Sequence, residues 1–169
     1  MKIMQEIQKT REYINYIEEH ILNVKKAWDE IKEKCKDMRF MYDDFYYFSI
    51  DGEIDCHDLS KMSEEEFIQY RKAFFPTENE KENGKYDMSK AWEHHKEKNP
   101  HHWENWTTIK KRIDADWEVH CVCMICDWMA MGYKFGDTAK AYYEKNKEQI
   151  KIPAEMIPFM YEIFERIEK

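Results

Sequence analysis

Apolar residues recur every three or four positions through residues 3–36, and neither Gly nor Pro interrupts them. Ile14, Ile17, Ile21, Val24, Ala27, Trp28 and Ile31 fall on one broad face, as the period of an α-helix requires. His20 stands three residues after Ile17 and four before Val24, so it borders that inward stripe.

Further along, residues 38–56 predict a second helical stretch whose aromatics (Phe40, Tyr42, Phe45, Tyr46, Phe48) read as core. Gly52 and its acidic neighbours leave a short strand or loop near residues 46–54 as the alternative. Ser63 with Glu66 three residues on has the form of a capping box, opening a helix that reaches about Phe75 and stops at Pro76. Residues 76–86 are polar and read as a surface loop. Asp87 or Ser89 caps the next helix, through AWEHHKEK, which Asn99-Pro100 interrupts before His101–Trp106 resumes it. Residues 114–132 predict a buried helix carrying Val119, Val122, Met124, Ile125, Trp128 and Met131, with Gly132 as its C-cap. Asp137 or Thr138 caps another helix to about Ile150, and Pro153 begins the last. The expected fold is all-α: one domain over residues 1–169, a single bundle of six or seven helices.

Composition agrees with this pattern. Only 4 Gly and 4 Pro leave few places to break a helix, and charged residues, at 37%, suit exposed helix faces. The net charge of −8 argues against a nucleic-acid backbone as partner. No apolar run approaches membrane-spanning length, so no membrane partner is expected either. The opening MKIMQEIQKTREY carries no apolar leader core, and an odd five cysteines suit reduced thiols, so a cytoplasmic location is expected. Cys123 and Cys126 form a C-x-x-C without a matching second pair, which reads as buried structural thiol rather than zinc ligand.

The seven histidines fall in four short segments: His20; His57; His94, His95, His101 and His102; and His120. Imidazole is a common metal ligand, and carboxylates complete sites for harder divalent ions. His57-Asp58 can present both side chains to one ion only where the backbone ends or bends, and the Leu59–Met62 stretch before Ser63 allows that. Asp127 lies in the apolar run MICDWMAM, where a carboxylate needs a partner: a metal, a histidine or a basic side chain. A spacing of seven would pair His95 with His102, or His94 with His101, on a continuous helix, but Pro100 spoils that projection, and at least two of the four read as solvated. His120, seven residues before Asp127, could share its face, although a peripheral position is the favoured reading.

The order His20, His57-Asp58, His95, His102, Asp127 resembles the H…HD…H…H…D order of the HD-domain metal-dependent phosphohydrolases, and His57-Asp58-Leu59-Ser60-Lys61 resembles their HD-x-x-K form. Most of the chain, through HDLSKMSEEEF, AWEHHKEKNPHHWE and CDW, is also similar to a small bacterial and phage family with no established activity. The first resemblance implies an all-helical fold in which His20, His57, Asp58 and Asp127 ligate a divalent ion. It implies that His95 and His102 serve a second ion or contact a substrate phosphate, and that Lys61 holds phosphate or polarises water.

The expected function is then hydrolysis of a small phosphoester, with nucleotides among the candidates, using one or two ions of Mn, Fe, Co, Ni, Zn or Mg and with Asp58 and Lys61 as catalytic residues. A non-catalytic metal-binding or protein-interaction domain that keeps the fold is the rival. Di-iron redox chemistry is disfavoured, because paired E-x-x-H motifs are absent.

Overall fold

A computed structural model describes residues 2–84, 86–111 and 115–169, and every regular element among them is helical. The α-helices are α1 (Lys2–Lys34), α2 (Arg39–Tyr42), α3 (Asp44–Asp55), α4 (Phe67–Phe74), α5 (Glu78–Glu82), α6 (Ser89–Lys98), α7 (Trp117–Phe135), α8 (Ala139–Asn146) and α9 (Ile157–Ile167). A 3-10 turn at Leu59–Met62 and a π turn at Asn105–Ile109 complete the set. The all-α expectation is met. The helices outnumber the six or seven expected because local breaks divide the longer stretches. No helix among the described residues is long and apolar enough to cross a membrane.

The chain divides into two units, one of Met1–Ile21 with Asp58–Asn99, the other of Leu22–His57 with Pro100–Lys169. The first has a small core of Tyr13, Ile17, Tyr70 and Ala91, with Tyr16, Ile21, Phe67, Phe75 and Met88 against it. The buried positions of α1 here are Tyr13, Ile17 and His20, whereas Ile14 is exposed. The expected stripe therefore holds, but Tyr13 rather than Ile14 begins it. Arg71 of α4 grips Glu80 of α5 with both terminal nitrogens (2.6 and 2.7 Å), and that guanidinium holds the Glu80 carboxyl down at about 2. Thr77 and Glu80 form a reciprocal capping box at the start of α5. So residues 76–86, read as loop, include a short helix.

The second unit is organised around α7, which is buried on nearly every side from Val119 to Ala130. Val24, Ala27, Trp28 and Ile31 of α1 belong to the same core, with Phe40, Ile50, Trp106, Met160 and Phe164. Cys35, Cys121, Cys123 and Cys126 are free and buried, and burial pushes the Cys35 thiol up to about 11. Cys123 and Cys126 are thus the buried structural thiols the sequence suggested.

Three local expectations change. No strand forms near residues 46–54, because Asp43 breaks the stretch, caps α3 by accepting from the Phe45 N–H (3.1 Å), and leaves Gly52 inside that helix. The aromatic stripe consequently splits: Phe40 is fully buried, while Tyr42, Phe45 and Phe48 are exposed. After the break at Asn99-Pro100, helical structure resumes at Trp103 as expected, running into the π turn. Pro153 does not open the last helix, since a turn closed by Met156 N–H on the Pro153 carbonyl (3.0 Å) precedes α9. The expected start of the buried helix at Asp114 lies outside the described residues.

Gly132 is not the end of α7. The helix continues to Phe135, and Gly136, at φ 76°, is the left-handed C-cap. Gly132 is required for another reason: a Cβ there would run into the backbone carbonyl of Asp137, at less than van der Waals distance. Gly132→Ala is therefore expected to lower stability by about 1–3 kcal/mol, the usual cost of forcing extra atoms into a packed site. An equilibrium denaturant melt that matched wild type would contradict this close approach.

Candidate metal centre

The divide between the units falls between His57 and Asp58, so the candidate ligands form two sets. In the first unit Asp58 is the hub. It follows the end of α3 by a turn, with its backbone left-handed (φ 58°, ψ 18°), a conformation that Asp and Asn tolerate better than other non-glycine residues. This is the bend the HD dipeptide was expected to need. Asp58 is buried, and three side chains converge on its carboxylate. His20 Nε2 lies 3.3 Å from Oδ2, His95 Nε2 3.2 Å from Oδ1, and Lys61 Nζ 2.5 Å from Oδ2. Lys61 is brought there by the 3-10 turn, one turn beyond Asp58.

His95 is held from its other side. Glu66, fully buried, accepts from His95 Nδ1 (2.8 Å) and from His94 Nδ1 (2.7 Å). Asn99, four residues after His95, donates to the His95 carbonyl and to Ser60 Oγ, both at 2.7 Å. Burial pushes the His95 imidazole down, but its contacts with Asp58 and Glu66 outweigh burial and hold its pKa above the ordinary value. Burial likewise pushes Glu66 up, and the hydrogen bonds from His95 and His94 outweigh it, leaving the carboxyl below its ordinary range.

Both His95 nitrogens thus face carboxylates. A neutral imidazole has one N–H, so it cannot donate to Glu66 and Asp58 at once. A second ring proton or a metal ion would satisfy the Asp58 side, where Lys61 already brings one positive charge. His20 and His95 each bring an imidazole nitrogen close to the buried Asp58 carboxylate, and imidazole with carboxylate is a donor type that suits a divalent metal. These buried His and Asp groups lie at metal-binding distance and make a candidate metal site.

In the second unit His57, on the turn after α3, lies 3.7 Å from Asp127 Oδ1, giving the half-buried α7 carboxylate the histidine partner it was expected to need. The His57 ring stacks on His101 (centroids 4.1 Å), and His101 lies 4.5 Å from the His102 ring. Of the two doublets, His95 and His101 are buried, whereas His94 and His102 are only partly so. The sequence offered His101 merely as an alternative to His102.

His120 is not peripheral. It is buried on α7, its Nδ1 2.9 Å from Glu53 Oε2 and its Nε2 3.8 Å from Asp116, with the Trp106 ring stacked at 6.5 Å. Burial lowers its pKa, but Glu53 and Asp116 outweigh burial and the opposing charge of Lys110, leaving it above the ordinary 6.5. A group raised on folding stabilises fully below its unfolded pKa and loses that contribution as pH rises through the folded value. Wild type should therefore exceed His120→Gln by on the order of 1–2 kcal/mol near pH 6, shrinking towards pH 9, as expected for a charged hydrogen bond. A gap that widened with pH in denaturant melts would contradict this sign.

Glu66 is the residue that sequence reasoning misassigned. Ser63-x-x-Glu66 has the capping-box form, but α4 begins at Phe67, and the Glu66 side chain makes no cap bond. Two histidines from α6 claim it instead.

No curated protein and no solved structure matches the chain. A family profile described as a family of unknown function, DUF5662, matches residues 9–168. The chain belongs to that family, DUF5662, over nearly its whole length.

Proposed function

We propose that this protein is a metal-dependent phosphohydrolase of the HD type, acting on a small phosphoester, with nucleotides as the first candidates. The observation that carries the reading is Asp58: a buried carboxylate met by His20, His95 and Lys61, all at positions the ordered HD pattern names. Within the first unit Asp58, His20 and His95 would supply ligands to a divalent ion, the part of the expected ligand set that this unit itself holds. Such an ion supplies Lewis acidity towards phosphorus and makes water a better nucleophile at neutral pH.

The chain's own residues do the remaining work. Glu66 orients the His95 ring and directs Nε2 towards Asp58, the role that carboxylates beside ligating histidines commonly have. Asp58 is a proton acceptor shared by His20 and His95, while Lys61 carries a positive charge beside it for a phosphate oxygen. Lys61 is also more exposed than His20 and His95.

The test is orthophosphate release from a panel of nucleotides and simple phosphoesters, by protein loaded with Mn²⁺, Co²⁺, Ni²⁺ or Zn²⁺. Turnover that chelation abolishes is expected. Lys61→Ala should lower it about 10²-fold while keeping the metal, if the lysine stabilises charge in the transition state. Loaded, folded protein that hydrolyses no member of the panel would sink the phosphohydrolase reading and leave a metal-binding domain.

A further inference from the structure

Two phenylalanines project from the outward face of α3. Phe45 and Phe48, one helical turn apart, are 61% and 68% exposed. Their rings meet those of their neighbours in sequence edge-on, Phe45 with Tyr46 (5.4 Å) and Phe48 with Tyr47 (5.5 Å). A pair of bare aromatics on one face is the kind of patch that marks a contact surface.

Gly52 continues the same stripe one turn beyond Phe48, and it too is exposed. Glycine weakens a helix interior, and nothing within the chain asks for it here. Its φ is not positive, and a Cβ there would meet no atom of a neighbouring element within 4 Å. Gly132 is the opposite case, where a Cβ would strike the backbone of Asp137. The notch at Gly52 opens to the outside.

A projecting ring and a notch one turn apart are the two halves of one fit. A two-fold axis across the helix brings each half to the other: Phe48 of each copy seats over Gly52 of the other. The paired helices then run antiparallel, a register that sets Asp44 against Cys56 and Phe45 against Asp55. No carboxylate of α3 faces its own equivalent. Acidic charge along this segment is also engaged within the chain. Asp55 holds Lys25 (2.7 Å), Asp51 accepts from Trp28 Nε1 (3.0 Å), and Asp43 accepts from the Phe45 N–H (3.1 Å).

We infer that the Phe45–Phe48–Gly52 face of α3 is a homodimer interface, covered by the same face of a second copy of this chain. The inference stands apart from the metal-site reading, since none of these residues is a candidate ligand. The contact is one helix wide, at the small end of specific interfaces, so association falls in the micromolar range.

The test is analytical ultracentrifugation of wild type, Phe48→Ser, Gly52→Leu and Phe135→Ser, from low micromolar to near-millimolar protein. Wild type should pass from monomer to dimer. The dimer should tighten as salt screens the repulsion between two copies of net charge −8. Phe48→Ser changes both copies and should weaken dimerisation about a hundredfold, about tenfold for each aromatic anchor lost. Gly52→Leu should weaken it as much by filling the notch. Dilute Gly52→Leu should nonetheless melt at or above the wild-type temperature, because leucine favours the helix and meets nothing there. Phe135→Ser removes an exposed ring at the end of α7 and should dimerise like wild type. Wild type that stays monomeric throughout would overturn the inference and leave the face to a different protein or to solvent. So would a dimer that survives both α3 substitutions, or one that weakens as salt is added.

Discussion

Asp58→Asn should abolish tight metal binding and destabilise the protein by about 3 kcal/mol, the scale of breaking a buried ion pair from one side. The substitution leaves the backbone at ease, since Asn accepts the left-handed conformation at position 58 as readily as Asp. What it removes is charge. Lys61 loses the carboxylate it approaches to 2.5 Å, and His20 and His95 lose their common acceptor. For a chain of this size the melting temperature would fall on the order of 6–12 °C. Asp58→Ala should fall further, by about 1 kcal/mol, because alanine is strained in that conformation. If Asp58→Asn melted with wild type and kept its metal, Asp58 would not be the hub of a site.

Glu66 should produce the second large effect. It is fully buried and bonded to two imidazoles, so Glu66→Ala leaves His94 and His95 without their acceptor at a cost of about 3 kcal/mol. His95 would also lose the contact that fixes its ring, and metal affinity should fall roughly 10–100-fold, as it does when a carboxylate orienting a ligating histidine is removed. Glu66→Gln keeps the shape and should recover part of the stability but less of the affinity. The carboxyl sits below its ordinary range in the folded protein, so its contribution is present above that range and lost as pH falls through the folded value. Denaturant melts between pH 3 and 7 would show the wild-type advantage over Glu66→Gln collapsing on the acid side. An advantage that grew towards low pH would contradict the assignment.

These two residues also mark how far the sequence could be read. Asp58 was legible because the HD dipeptide, the histidine segments and the break before Ser63 all pointed to one bend carrying chemistry. The helical class and the long α1 were legible from apolar spacing, which continues without a break across Tyr13, Ile17, His20, Val24, Ala27 and Ile31. Glu66 was not. A Ser-x-x-Glu pattern is locally self-consistent, and only contacts with α6, some thirty residues away in the chain, turn the side chain from cap to histidine partner. The genuine capping box, Thr77 with Glu80, lay in a stretch whose polarity read as loop.

The same limit explains Gly132 and the aromatics. Gly132 has the chemistry of a C-cap, and the approach of the Asp137 backbone that requires it is tertiary. Phe45 and Phe48 looked like core because aromatic residues usually are, yet the break at Asp43 turns them outward. Spacing could not choose within the histidine doublets, since Pro100 interrupts the helix between them, whereas burial picks out His95 and His101.

Elemental analysis of tag-free protein tests the metal centre most directly. Wild type, Asp58→Asn and His95→Asn would be incubated in turn with Mn²⁺, Fe²⁺, Co²⁺, Ni²⁺ and Zn²⁺, desalted, and checked for folding by circular dichroism. About one or two equivalents of at least one ion should remain on wild type, as mononuclear and two-metal hydrolytic sites hold, with folded variants retaining far less. Wild type that is folded yet metal-free after every incubation would contradict the metal centre, and with it the hydrolase.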